Sequence, residues 1–256
     1  MEDTPMEILT AIKRVPETGA KVSLTDDKRD IDTTSLGFTF SPHEECAVEE
    51  GVQLVEEHGG NVTVLTLGEE DATEQLRSAI AMGADDGILL DGGDEEWGPV
   101  GTADAIADAV EGSDTDFDLL LFGNESADAA NHQVGVRVAE RLGLPCVTGI
   151  KDLDVADGTA TAKREIPGGS EVYEIDLPAV VTVKEGLNEP RYPSMRAKMQ
   201  ARKASVDQQS PEPRAEGLEL VELEVPETDD SPAEILGESP EAAAEVVDVL
   251  EELEVV

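Results

Sequence analysis

The chain is poor in cations. Against 59 aspartate and glutamate side chains it sets only 18 lysines and arginines, a formal net charge of −41 over 256 residues. Nucleic-acid binding needs a basic footprint, so a nucleic-acid partner is excluded as an expectation. Seventeen of the acids and one cation, Arg214, fall in residues 205–256, which leaves 42 acids against 17 cations in the rest. The acidity is therefore carried by the body and not only by a tethered tail. Such a surface is expected of a halophilic protein, since molar salt shrinks the Debye length to about 3 Å and makes self-repulsion tolerable. An acidic face for basic partners is the alternative.

Cysteine is almost missing. Cys46 and Cys146 stand far apart among apolar neighbours with no C-x-x-C spacing, which reads as two small core residues and gives no metal site. No apolar run approaches the roughly 18 residues of a membrane span, and Met1-Glu2-Asp3-Thr4-Pro5 lacks the cationic and apolar regions of a secretion signal. No direct membrane insertion and a cytoplasmic location are expected. The phosphate motifs G-x-x-x-x-G-K-S/T, G-x-G-x-x-G and S-G-G-x-D-S are also absent, which disfavours ATP hydrolysis and adenylation. Three histidines offer little to an enzyme. His58 closes an amphipathic helix and is expected to face solvent. His43 and His132 sit at helix starts, where imidazolium is disfavoured, and are either neutral ligand contacts or surface residues. No catalytic residue is assigned, and Trp97 is read as a packing anchor under a loop.

What is present is an alternation of strand and helix patterns through the first 150 residues. Strands are predicted at 7–12, 61–67, 87–90, 117–122 and 146–149. A helix opens at Ser41, with Pro42 at its first position and Glu44 completing a capping box, and it ends at Gly59. Further helices are predicted at 69–82, 101–111 and 131–142. The fold class is α/β: a doubly wound, mainly parallel, nucleotide-binding sheet of Rossmann or adenine-nucleotide-hydrolase type. Residues 151–184 read as a small appended antiparallel unit, with strands at 159–166, 170–176 and 179–184. Residues 205–233 read as extended and 240–253 as helical. The acidic arm 205–256 either packs on a partner subunit or frays, and the domain proper is taken as 1–204.

Open α/β sheets bind ligands beyond the carboxyl ends of their strands. Here those ends are Ala11-Ile12-Lys13-Arg14, Thr66-Leu67-Gly68 and the loop Gly123-Asn124-Glu125-Ser126-Ala127-Asp128-Ala129-Ala130 running into Asn131-His132-Gln133-Val134. A small-residue loop entering a helix can aim backbone N–H groups and the positive helix end at a phosphate, or it can be an ordinary connection. Lys13 and Arg14 are anion contacts or plain surface charges.

A second segment has a different character. Leu187-Asn188-Glu189-Pro190-Arg191-Tyr192-Pro193-Ser194-Met195 is stiffened by two prolines, and residues 187–203 hold five of the 18 cations: Arg191, Arg196, Lys198, Arg202 and Lys203. This run resembles the signature loop of the electron-transfer flavoprotein β subunit. The resemblance extends over roughly 7–204, through Ile8-Leu9-Thr10-Ala11-Ile12-Lys13, Ser41-Pro42-His43-Glu44-Glu45, Ala79-Ile80-Ala81-Met82-Gly83-Ala84, Leu119-Leu120-Leu121-Phe122-Gly123-Asn124-Glu125-Ser126, Lys163-Arg164-Glu165 and Leu177-Pro178-Ala179.

The resemblance implies a non-enzymatic electron carrier. A bound AMP would lie against Ala11, Ser41, Pro42, His43, Glu44, Leu67 and the loop from Gly123 to Val134. FAD would be held mostly by an α subunit and covered on one side by the His43 and Val15-Pro16 regions. The loop 187–199, through Pro190, Arg191, Tyr192, Pro193, Ser194 and Met195, would dock acyl-CoA or related dehydrogenases, with a quinone oxidoreductase as electron acceptor. His43 in place of an aromatic, Met195 in place of leucine and Arg196 in place of proline depart from the family pattern. Gln133-Val134-Gly135 is shared with electron-bifurcating relatives that hold a second FAD instead of AMP and react with NAD(H), but the residues before it differ. A nucleotide-binding stress-type module would fit the first 150 residues and leave the Pro-Arg-Tyr-Pro loop unexplained.

Overall fold

The structure, a computed structural model, describes residues 5–256 except 18, 20, 21, 94–96, 215–219, 227–234, 238, 254 and 256. In chain order the strands and helices are β1 (Met6–Ala11), β2 (Val15–Pro16), β3 (Phe38–Thr39), α1 (Pro42–His58), β4 (Gly60–Gly68), α2 (Thr73–Met82), β5 (Asp86–Asp91), α3 (Pro99–Glu111) and β6 (Leu119–Gly123). There follow α4 (Val134–Leu142), β7 (Cys146–Ile150), β8 (Asp152–Ala156), β9 (Thr159–Ile166), β10 (Gly169–Asp176), β11 (Ala179–Val183), α5 (Met195–Ala201), β12 (Asp207–Gln209) and α6 (Ala243–Glu252).

Seven strands form one sheet in the order β12-β5-β4-β1-β6-β11-β7, all paired in parallel. Its strands are buried on both faces, which is why they read as apolar runs without strict alternation. Ile8, Leu119, Leu121, Val181 and Val183 point into the core beneath α1 and α2. Leu9, Leu120, Phe122 and Val180 point to the opposite core beneath α3 and α4. Each fully buried Leu or Ile contributes about 1.5–3 kcal/mol of transfer free energy, so the two faces together hold the layers.

Four expectations are corrected. Ala179–Val183 does not belong to the antiparallel unit: it inserts between β6 and β7 in the main sheet, leaving β8, β9 and β10 as a separate three-stranded antiparallel sheet. Helix α4 begins at Val134, not 131, while α3 begins at Pro99, not 101. The acidic arm does not leave the domain at 205, because Asp207–Gln209 pairs with Ile88–Leu90 at the sheet edge and Arg214 meets Asp104 at 3.0 Å and Asp108 at 2.7 Å. Beyond it α6 buries none of its described residues and exposes Val246, Val247 and Val249. Cys46 is buried and both cysteines are free.

Surface cations are drawn into acidic groups, as where Arg141 reaches both Asp108 and Glu111. Exposed pairs of this kind contribute only about 0–1 kcal/mol each, too little to offset the repulsion of −41 charges at low salt. The melting temperature is therefore expected to rise between about 0.1 M and 3 M KCl as screening shortens. A melting temperature that stays flat or falls over that range would show that charge repulsion does not limit the fold at low salt.

Candidate functional site

In the sheet order, β1 lies between β4 on one side and β6 on the other, so the chain turns from one half of the sheet to the other across the β1–β6 pair. At the carboxyl ends of these strands lies a cleft of about 890 Å³, the space at its open mouth included. Of the predicted residues, Ala11, Glu44, Leu67, Gly123, Asn124, Glu125, Ser126, Asn131, His132, Gln133 and Val134 line it. Ser41, Pro42, His43, Ala127, Asp128, Ala129 and Ala130 do not. Lys13 also lines the cleft, whereas Arg14 turns away and stacks 3.4 Å over the Phe38 ring.

Residues missed from the sequence come mainly from α3 and the two residues before it: Trp97, Gly98, Pro99, Thr102 and Ile106, with Gly135 and Thr182 from the other side. The Gly98-Pro99 pair was a legible helix start, and recognising it would have brought α3 to the site.

The loop after β6 is held by side-chain bonds. Thr182 at the end of β11 accepts the Gly149 N–H at 2.9 Å and donates its hydroxyl to Asn124 Oδ1 at 2.9 Å. With its oxygen thus engaged, the Asn124 amide donates to His132 Nδ1 at 3.1 Å. The other ring nitrogen, Nε2, meets the Glu125 carboxylate. Lys13 Nζ reaches Asp128 at 2.6 Å. Burial works to raise the Asp128 carboxyl, but hydrogen bonds from Lys13 and Ser126 win and hold it below the ordinary carboxylate range. These ties keep Ala130 and His132 in left-handed backbone conformations, φ 47° and 54°, of the strained kind that clusters at ligand loops.

At the far end of that loop α4 begins. A Cβ at Gly135 would stand 2.8 Å from Thr182 Cγ2 and 3.2 Å from the Phe122 ring, so glycine is what lets the first turn of α4 sit directly on the strand ends. The first N–H groups of a helix have no intrahelical partner, and here they open at the cleft. Glu44 closes the floor. Its carboxylate accepts the Ser41 N–H at 2.9 Å, the predicted capping contact, and burial pushes its pKa up to about 7.

His43 lies outside the cleft. Its ring is 3.5 Å from Glu125 and it faces a separate depression with Gly149, Lys151, Glu165, Lys184 and Glu185. Among the described residues no group of three or more His, Cys, Asp or Glu side chains is placed to hold a metal ion. None of the described helices is long and apolar enough to cross a membrane.

The Pro-Arg-Tyr-Pro loop is anchored at its base and bare at its tip. Asn188 donates to the Cys46 carbonyl at 3.0 Å and to Glu50 at 2.9 Å. Arg191 grips Glu49 of α1 through Nε at 2.8 Å and Nη2 at 3.0 Å, and Glu56 through Nη1 and Nη2 at 2.6 and 2.9 Å. Burial would raise the Glu49 carboxyl, but its bonds from Arg191 and Gln53 outweigh that and hold it low. Tyr192 and Met195, by contrast, are 88% and 76% exposed. Ser194 caps α5, its hydroxyl accepting the Ala197 N–H at 3.1 Å.

Fold and cleft together define a doubly wound α/β protein with a cleft at the strand-order switch, to which a loop with an exposed aromatic and an exposed methionine has been added. The family model for the electron transfer flavoprotein domain matches residues 30–213, and the chain belongs to that family. It is similar to the electron transfer flavoprotein subunit beta of Bacillus subtilis, 34% identical over 96% of this chain and 97% of that one. It is also similar to the protein of the same name from Syntrophomonas wolfei, 36% identical over 86% of each chain, and to that of Mycobacterium leprae, 39% identical over 78% of this chain and 77% of the relative.

Proposed function

We propose that this chain is the β subunit of a heterodimeric electron-transfer flavoprotein that holds AMP in the cleft and passes electrons from acyl-CoA or related dehydrogenases to a quinone oxidoreductase. The observation that carries the reading is the pairing, on one family-matched domain, of a switch-point cleft with a loop rigid at Arg191 and exposed at Tyr192 and Met195. FAD, held mostly by the α subunit, supplies the one- and two-electron chemistry; the protein supplies position and electrostatics.

The residues of the cleft fit an adenylate. The first turn of α4 offers backbone donors and the positive helix end to a phosphate. Lys13 is the one lysine or arginine on the lining, against the carboxyls of Glu44 and Glu125, so its charge matters for an anionic ligand. Lys13→Glu turns an attraction for the anion into a repulsion and is expected to lower the AMP content of the purified heterodimer at least about tenfold. Nucleotide released by denaturation and quantified by chromatography is the measurement, and unchanged occupancy would move the ligand elsewhere.

The same extraction separates a second reading. Gln133 and Gly135, part of the run shared with bifurcating relatives, line the cleft. One FAD and one AMP per heterodimer supports the electron shuttle; two FAD and no AMP replaces it with a bifurcating complex that reacts with NAD(H). Helix α6, with its exposed valines, is assigned to contact with the α subunit.

A further inference from the structure

The cleft has two chemically different halves. Its α4 side presents mainly polar groups, Lys13, Asn124, Ser126, Asn131 and Gln133 beside Phe122 and Val134; its α3 side presents Leu67, Trp97 and Ile106 with one hydroxyl, that of Thr102. The polar half suits a phosphate and sugar, which leaves the apolar half for a base.

Trp97 is the single tryptophan of the chain. It stands two residues before α3, and its indole N–H donates to the Gly92 carbonyl at 3.1 Å. The Gly92 N–H donates in turn to the Gly68 carbonyl at 3.1 Å, so two hydrogen bonds tie the indole to the end of β4 beside Leu67. A Cβ at Gly92 would stand 2.5 Å from the indole nitrogen and 3.0 Å from Cδ1. Only glycine there lets the ring lie against this backbone. The ring also packs on the apolar cluster that contains Ile106 and Phe122, so it is fixed before any ligand arrives.

An indole whose N–H is already satisfied offers a ligand no hydrogen bond. What it offers is flat apolar area, and attraction between rings grows with that area. We propose that Trp97 is the base-selecting wall of the cleft, taking a planar two-ring heterocycle and so setting a preference for a purine over a pyrimidine mononucleotide. This rests on the reading of the cleft as a nucleotide site. Pre-organisation by the Gly92 carbonyl keeps the ordering cost of the wall low.

The test uses the full-length chain with its α subunit, stripped of nucleotide, and equilibrium dialysis against radiolabelled AMP and CMP. Trp97→Ala is expected to weaken AMP binding at least about tenfold, the scale of a lost base–aromatic stack, and CMP binding by much less, so that the purine preference collapses. Trp97→Phe should restore most of it. A merely structural role would not change the AMP-to-CMP ratio. AMP bound by Trp97→Ala as tightly as by wild type, or both nucleotides lost in equal proportion without rescue by phenylalanine, overturns the role of Trp97 while leaving the cleft as a nucleotide site. Wild type that binds neither nucleotide overturns the cleft reading itself. If Trp97→Ala does not fold, the Trp97 emission decides, taken as wild type minus Trp97→Phe. A change on adding AMP and none on adding CMP supports the wall, and no change with AMP overturns it.

Discussion

Arg191→Ala is expected to destabilise the chain by about 3–5 kcal/mol, the cost of leaving a buried charge without its partner. The Glu49 carboxylate is only 4% exposed, and Arg191 supplies it with the backbone N–H at 3.0 Å as well as two guanidinium bonds. Alanine keeps the backbone bond and the bond from Gln53 at 2.7 Å but leaves the carboxylate without a countercharge. For a domain of this size the loss corresponds to a fall in melting temperature on the order of 10 °C. Glu56→Ala removes only an exposed partner, 58% accessible, and should cost about 1 kcal/mol or less. Arg191→Lys should rescue poorly, because an ammonium cannot make the forked contact to two carboxylates.

The pH dependence has a definite sign. Glu49 is held below its ordinary value of 4.5, so the stability contributed by the pair is complete above that pH and is lost as pH falls through the folded value. Arg191→Ala should therefore flatten the acid limb of the stability curve. A melting temperature within about 2 °C of wild type, under the per-kcal/mol shift expected here, would show that the loop is held by something other than this pair.

Arg191 also shows where sequence reasoning stops. Its cluster with Tyr192 and Met195 read as a docking surface, but its partners Glu49 and Glu56 lie 142 and 135 positions away, and nothing local records such a pairing. What was legible was local: the helix start at Ser41-Pro42 with Glu44, the glycine stops after α1 and α2, and the apolar runs of β1, β4 and β6. The misplacement of Ala179–Val183 was avoidable in part. Its five residues are all buried, a run without alternation that belongs to a sheet covered on both faces, whereas β10 alternates exposed and half-buried positions as a one-sided antiparallel strand does. Strand 207–209 carried no such signal: Asp207-Gln208-Gln209 is polar throughout, and it joins β5 by backbone pairing and one side-chain bond, Gln208 to Asp91 at 2.7 Å. In the site, the β6–α4 loop was found by its composition and position. Trp97 was assigned to packing, which it does; that it also lines the cleft depends on α3 crossing over β4, a long-range outcome of the parallel crossover.

The exposed end of the same loop yields the second large effect. Pro190 and Pro193 limit the backbone, Arg191 fixes the base, and the Ser194 cap sets Met195 at the first position of α5, so the methionine is displayed with little left to order on binding. Lys198 Nζ lies 4.3 Å over the Tyr192 ring, which steadies the neighbouring aromatic. At 76% exposure Met195 does not pack back into its own domain, so Met195→Ala should behave as a surface change and leave stability within about 0.5 kcal/mol. Flavin and AMP contents should also match wild type. A flexible thioether entering an apolar pocket on a partner loses its contacts when truncated, and electron transfer from a partner dehydrogenase is expected to weaken at least about tenfold, equivalent to roughly 1.4 kcal/mol. Reduction of the flavin by dithionite bypasses docking and should be unaffected. A variant that melts early would return Met195 to the core of its own subunit, and one whose partner-dependent flavin reduction is unimpaired would remove it from the docking surface.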